Sequence, residues 1–164
     1  MKKMVTILFL MITVIALSGN YFISETSEDH NAKIYYVDHS MLRLVPVDYN
    51  ITNATVQKAC EKIIEKIIDG EDYNNNILRV VPKIKNGMDV EVDDEIAYVN
   101  FKNDFIENIP NNNIHEVLMV YSIVNSLTSV EGVNVVKFLF DGEEKKEYIG
   151  GMDMRETFIP DYYI

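Results

Sequence analysis

Tyr121–Glu143, YSIVNSLTSVEGVNVVKFLFDGE, decides the fold. It reads as the end of a helix, a turn at Glu131-Gly132, a near-continuous apolar strand from Val133 to Phe140, and a second turn at Asp141-Gly142. A strand with so little alternation is covered on both faces and belongs in the interior of a sheet. The stretch holds no nucleophile paired with a base and no ligand cluster, so its content is architectural. Asn125 lies beside the apolar stripe of the helix, where a buried amide needs partners for its polar atoms. It is expected to tie the helix end to the turn that follows.

Working back from this block, Asn111 to Asn113 form a start signal for its helix, with Glu116 three residues after Asn113 in a capping-box arrangement. Ile114, Val117, Leu118, Tyr121, Val124 and Thr128 fall along one face, widened by Val120 and Leu127. Before it, Met88, Val90 and Val92 alternate with Asp89, Glu91 and Asp93 up to a bend at Asp94-Glu95. Ile96 to Phe101 then returns, so Met88–Phe101 is a hairpin with one dry and one acidic face. Those carboxylates point off a flat surface and lack the sharp glycine bend that gathers calcium ligands.

An earlier helix is signalled by Thr52-Asn53-Ala54-Thr55, with Thr52 or Asn53 as the cap, and by Val56, Cys60, Ile63 and Ile67 recurring at three and four residues. Gly70 ends it. Asn50-Ile51-Thr52 and Asn53-Ala54-Thr55 match glycosylation acceptors, which the cap explains more simply. Cys60 falls on the apolar face and reads as a core residue. Lys33–Asp38 and Leu42–Val47 are a strand pair at the start of the domain, with Pro46 placing the second strand at an edge. Tyr148–Met154 adds a last extended piece. The tail Phe158–Ile164 is apolar enough to pack on the domain or on a partner. The order strand, strand, helix, hairpin, helix, strand predicts an α+β fold with two helices packed on one side of a mixed β-sheet.

Length and charge bound the function. At 164 residues, 48% of them hydrophobic, the chain fits one domain. A formal net charge of -11 without a basic run disfavours nucleic acid and anionic lipid as partners. With one cysteine there is no intramolecular disulfide. His30, His39 and His115 share no ligand or triad spacing, and no Asp or Glu has the apolar flanks that would raise its pKa. These residues predict no catalytic, cofactor or metal site.

Lys2-Lys3 precede the apolar run Met4–Leu17, an arrangement that carries the following domain across a membrane. Residues 1–23 read as a signal peptide or a membrane anchor, and Ala16-Leu17-Ser18 offers cleavage after Ser18. Retention, favoured by Tyr21-Phe22-Ile23 resuming the apolar character, would let Met4–Ile23 span as an uncleaved anchor. Residues 24–31 read as a polar linker, and 32–164 as the α+β domain.

The pieces Ile34-Tyr35-Tyr36-Val37-Asp38, Ala97-Tyr98-Val99-Asn100-Phe101, Ile123–Thr128 and Val136–Gly142, with a closing Gly151-Met152-Asp153-Met154, resemble the GerMN domain family in order and spacing. Tyr121, Asn125, Leu127, Thr128, Asp141, Gly142, Gly151 and Asp153 are the positions that carry the motif. The resemblance implies a sporulation or germination role in a single-copy member of a family whose members often hold two copies. It also implies kinship with ring-building modules that pack neighbour to neighbour. Family members are often lipoproteins, whereas Leu17-Ser18-Gly19-Asn20 lacks the cysteine a lipid would need. Lys102 stands where a small hydroxyl residue is expected. The expected function is a non-enzymatic, membrane-tethered extracytoplasmic module that assembles with itself or with envelope proteins. The alternative is a binding module for cell-wall glycan or peptide, served by ten Tyr and by the amides of Asn74–Asn76 or Asn111–Asn113.

Overall fold

The computed structural model describes residues 26–40, 42–70, 77–109, 112–146 and 148–164. The leader, the amides of Asn74–Asn76 and Asn111 lie outside the described residues. No helix among the described residues is long and apolar enough to cross a membrane.

Strands β1 (Glu28–Asp38) and β2 (Leu44–Ala54) form a long antiparallel hairpin. β1 begins inside the stretch read as a linker, because His30 turns inward and its Nε2 bonds the Ala54 carbonyl at 3.0 Å. β2 runs past the expected cap residues Thr52 and Asn53, and Thr55 caps α1 (Val56–Asp69) instead, its side chain accepting from Lys58 N. The reason is local: Asn53 has φ 48 where the hairpin register shifts, and its N–H donates to Asp29 Oδ1. α1 buries Ala59, Cys60, Ile63, Ile64, Ile67 and Ile68, and Gly70 closes it by donating to the Lys66 carbonyl.

A short β3 (Ile77–Leu78) pairs with the end of β1. β4 (Met88–Asp93) and β5 (Ile96–Phe101) form the expected hairpin, turned by Asp94 and Glu95, both at positive φ. After the single-turn α2 (Asn103–Ile106) comes α3 (Asn113–Leu127), then β6 (Val135–Phe140), parallel to β5. β7 (Tyr148–Ile149) and β8 (Met152–Asp153) make a small hairpin, and β9 (Thr157–Phe158) lies antiparallel on β6. β6 is thus interior, as its sequence predicts.

The α+β class and the two main helices follow the sequence, while the strands divide between β2-β1-β3 and the mixed sheet β4-β5-β6-β9. α3 packs on β1 and on β6, so from Leu118 to Leu127 every residue but the half-buried Tyr121 is buried, rather than one stripe. Val136, Phe138 and Phe140 of β6 and Ala97, Val99 and Phe101 of β5 face the same core. Aromatic rings run through it from Tyr121 to Phe158, Phe138, Phe101 and Phe105, with neighbouring centroids 4.8 to 6.4 Å apart. Offset and edge-on rings at such spacing add to the burial of their area.

The division leaves strand edges to close, and helix side chains close them. Along α3, Ser126 Oγ accepts from Tyr35 N at 2.8 Å and Ser122 Oγ donates to Tyr35 O at 2.5 Å, and just past the helix end Ser129 Oγ accepts from Lys33 N and donates to Lys33 O. Since Tyr35 sends its backbone groups to α3, its pair with Pro46 exchanges no hydrogen bond, and the N–H that proline lacks would point away from the sheet. A buried backbone donor left without an acceptor costs about 1–3 kcal/mol. Ser126→Ala should therefore lower the urea midpoint with an unchanged slope, and an unmoved midpoint would show that the seam does not hold β1.

Candidate interaction surfaces

The motif residues lie in three places. Tyr121, Asn125, Leu127 and Thr128 are on α3: Leu127 is fully buried, Thr128 Oγ1 donates back to the Val124 carbonyl, and Tyr121 meets Phe158 edge-on. Burial, and then the nearby Asp161, push the Tyr121 phenol upward. Asp141 and Gly142 turn the chain after β6 at φ 51 and 81, with Asp141 N donating to Phe101 O and Gly142 N to Asn100 Oδ1. Gly151 turns the β7–β8 hairpin at φ 79. Asp153, beside it, is held down to about 2, first by the Arg155 side chain and then by Arg155 N.

Two expected contacts are replaced. Asn125 does not tie the helix to the next turn; its Nδ2 donates to Asp161 O at 2.7 Å and its Oδ1 accepts from Asp161 N at 3.0 Å. A fully buried amide thus pairs with the backbone of the C-terminal segment as a strand would. Glu116 does not close a capping box, because Asn112 caps α3 and Glu116 Oε2 accepts from Gly150 N instead. Both partners are distant in sequence; Ser122 and Ser126, four residues apart on an apolar helix, are the signal that could have pointed to a polar seam.

The clamp at Asn125 shapes a surface. The tail packs on the domain: Phe158 is buried, Tyr162 stacks on Tyr35 at 5.7 Å, and Leu44 N donates to Ile164 O at 2.9 Å. Burial, with Tyr162 adding, raises the Tyr35 phenol. At the turn, Asp38 holds Ser40, Leu42 N and Arg43, and its carboxyl is lowered to about 2, chiefly by the Ser40 hydroxyl. This scaffold presents Leu42, 75% exposed, Tyr162, 54%, and Tyr163, 100%, near one end of the hairpin.

A second surface is the groove of about 510 Å³ where α1 runs beside β4. It is lined by the buried Ile64, Ile68, Met88 and Val90 and by the charged Glu61, Glu65, Asp69, Asp89 and Lys85. Gln57 donates to Val90 O and accepts from Val92 N, both on the β4 edge that β5 does not use. Gln57, and then Lys58, hold the Glu61 carboxyl below its usual range. Asp89 also pairs with Lys102 at 2.6 Å. A smaller polar hollow of about 380 Å³ runs from Asp29 to Asn134 across the α3–β6 turn.

The described residues contain no group of three His, Cys, Asp or Glu placed to hold a metal ion. Cys60 is buried, and desolvation pushes its thiol up to about 12, so thiolate chemistry is suppressed at neutral pH.

A helix held between a hairpin and a mixed sheet, with its tail clamped by a buried amide, defines a compact α+β module whose distinctive features are surfaces. A family model described as "Germane: Sporulation and spore germination" matches residues 33–146, and the chain belongs to that family, with a GerMN-type domain. No curated protein matches it in sequence. Among solved structures it is similar to a predicted lipoprotein of Clostridium perfringens, at 17% identity and TM-score 0.55, covering 86% of this chain and 91% of that one. It is also similar to the tandem GerMN domains of the sporulation protein GerM from Bacillus subtilis, at 22% identity and TM-score 0.56, over 73% of this chain. The match spans 42% of that tandem chain. The first GerMN domain of the same protein matches at 22% identity and TM-score 0.52, over 71% of this chain and 86% of that one. At these identities the structures speak for the fold.

Proposed function

We propose that this protein is a non-enzymatic assembly module of the cell envelope, tethered outside the cytoplasmic membrane by its N-terminal segment and acting in endospore formation or germination. Membership of a sporulation and germination family supports the setting. Similarity to a predicted lipoprotein supports a membrane-associated location, and since Asn20 stands in place of the lipid-bearing cysteine, the tether here is the apolar segment itself.

The observation that carries the assembly reading is the patch of Leu42, Tyr162 and Tyr163. Its side chains are exposed although Leu42 N is bound by Asp38, Tyr163 N by Asp161, and the flanking Asp161 and Ile164 by Asn125 and Leu44. Large exposed side chains gathered at one end of a domain support a surface that a partner covers. Copies that meet there must overcome their charge: without Lys2 and Lys3 the chain carries 15 − 2 = 13 basic against 26 acidic residues, or -13. Salt screens that repulsion over about 8–10 Å near physiological strength.

Sedimentation of the full chain in nonionic micelles should therefore show association that strengthens with sodium chloride and is lost in the Leu42→Ser/Tyr163→Ser variant. Oligomers that dissolve as salt rises, or that survive in the variant, would oppose this reading.

A further inference from the structure

We propose that the outer face of the sheet β4-β5-β6-β9 is a docking site for an amphipathic helix of a partner protein, apolar along one stripe and carrying lysine or arginine on the flank that lies over β4. The proposal rests on the assembly reading for the origin of the partner. It uses neither the tyrosine patch nor the groove beside α1.

The register of the strands defines the face. α1 and α3 lie on the side of this sheet that holds Val90, Val99 and Phe138. Successive residues of a strand point to opposite faces, so the other side presents three rows across β4, β5 and β6. They are Asp89, Asn100 and Leu139; Glu91, Tyr98 and Lys137; and Asp93, Ile96 and Val135. Ile96, Tyr98, Val135 and Leu139 are half-buried and stand apart from the core.

The sequence of β6 asks for a cover on this side. Parallel strands are ordinarily covered on both faces, and VVKFLF, parallel to β5, breaks its apolar run only with Lys137. Val136, Phe138 and Phe140 are buried in the core, while Val135 and Leu139 point the other way. Lys137 leaves the apolar surface continuous: its side chain is 11% exposed, and its Nζ is drawn aside to the Arg155 carbonyl and, at 3.5 Å, to Glu144.

The dimensions suit one helix. Three strands about 4.8 Å apart span about 10 Å, close to the width of a helix. Strands of six residues run about 20 Å, the length of about 13 helical residues. A stripe at three- and four-residue spacing on such a helix covers Tyr98 and its three apolar neighbours.

Charge sets the occupant and its orientation. The acidic residues of the three rows all lie on β4, along one flank of the apolar surface. Lys102 engages Asp89 at 2.6 Å, whereas Glu91 and Asp93 are exposed beside Tyr98 and Ile96. Basic residues on that flank of the incoming helix meet them. A second copy is a poor occupant, because its net charge is -11 and the apolar residues of its α1 and of Leu118–Leu127 in α3 are already in its own core.

The test is an NMR titration of the full chain, in nonionic micelles at constant ionic strength, with a helical peptide of about four turns bearing leucines along one stripe and lysines beside it. The peptide's partition into protein-free micelles is measured and subtracted. Saturable shifts are expected at the amides of Ile96, Tyr98, Val135 and Leu139. In the Glu91→Lys/Asp93→Lys variant, both changes being at exposed positions, affinity should fall about tenfold or more. A peptide with alanine in place of leucine stays helical and should bind more weakly.

The absence of saturable shifts, shifts centred on Ile64 and Met88, equal binding by the alanine peptide, or undiminished binding by the charge-reversed variant would each overturn the sheet face. Shifts at Tyr98 that grow with protein concentration in the absence of peptide would make the occupant a second copy and overturn the partner helix. Docking with no self-association through Leu42 and Tyr163 would defeat the assembly reading while this face stands. Self-association through that patch with no docking would do the reverse.

Discussion

Asn125→Leu is expected to destabilise the protein by about 2–4 kcal/mol and to open its C-terminal segment to proteolysis, although the side chain touches no ligand. Leucine matches asparagine in size, so the change isolates the two hydrogen bonds to Asp161 N and Asp161 O. Asn125 is fully buried, and the freed backbone groups of Asp161 must either stay unsatisfied or pull the tail into water. The second course removes Tyr162 from Tyr35 and strains the Leu44 N to Ile164 O bond. For a domain of this size about 1 kcal/mol moves Tm by a few degrees, so a fall of about 5–15 °C follows. Chymotrypsin should then cut at Phe158, which is buried in the wild type. An unchanged Tm with Phe158 still protected would show that the tail is held by other contacts.

The largest loss belongs to Phe101→Ala. Phe101 is fully buried, with ring centroids 4.8 Å from Phe105, 5.1 Å from Phe138 and 5.6 Å from Phe140. Those rings come from α2 and β6, and none can turn into the void without leaving its own contacts. Truncation of such a residue costs about 3–5 kcal/mol, a large part of the stability of an ordinary domain. Denaturant unfolding followed by circular dichroism measures it. A loss under about 1 kcal/mol would mean that the aromatic cluster collapses freely, against the dense packing of protein interiors.

The elements the sequence displays are those set by short-range pattern. The apolar spacing of α1, the alternation around Asp94-Glu95, the interior character of β6 and the Asp141-Gly142 turn are all present as read. What could not be read depends on partners far along the chain. Asn125 and Asp161 are 36 residues apart, and Glu116 and Gly150 are 34. Ser126 and Tyr35 are 91 apart, so the closure of β1 by α3, and with it the division of the strands, has no local signature. The role of Gln57 was hidden for the same reason: it bonds Val90 and Val92, 33 and 35 residues on, and only the fold brings it to the edge of β4.

The account centres on assembly at the envelope of a sporulating cell, and imaging tests that most directly. Because Ile164 O is bonded to Leu44 N, the fluorescent partner should follow a flexible linker after Ile164 and be one that matures outside the cytoplasm. Followed through sporulation, the fusion is expected to gather at the membranes around the forespore and to lose that pattern in the Leu42→Ser/Tyr163→Ser variant. A uniform envelope signal in growing cells, or release of the protein to the medium, would contradict the account.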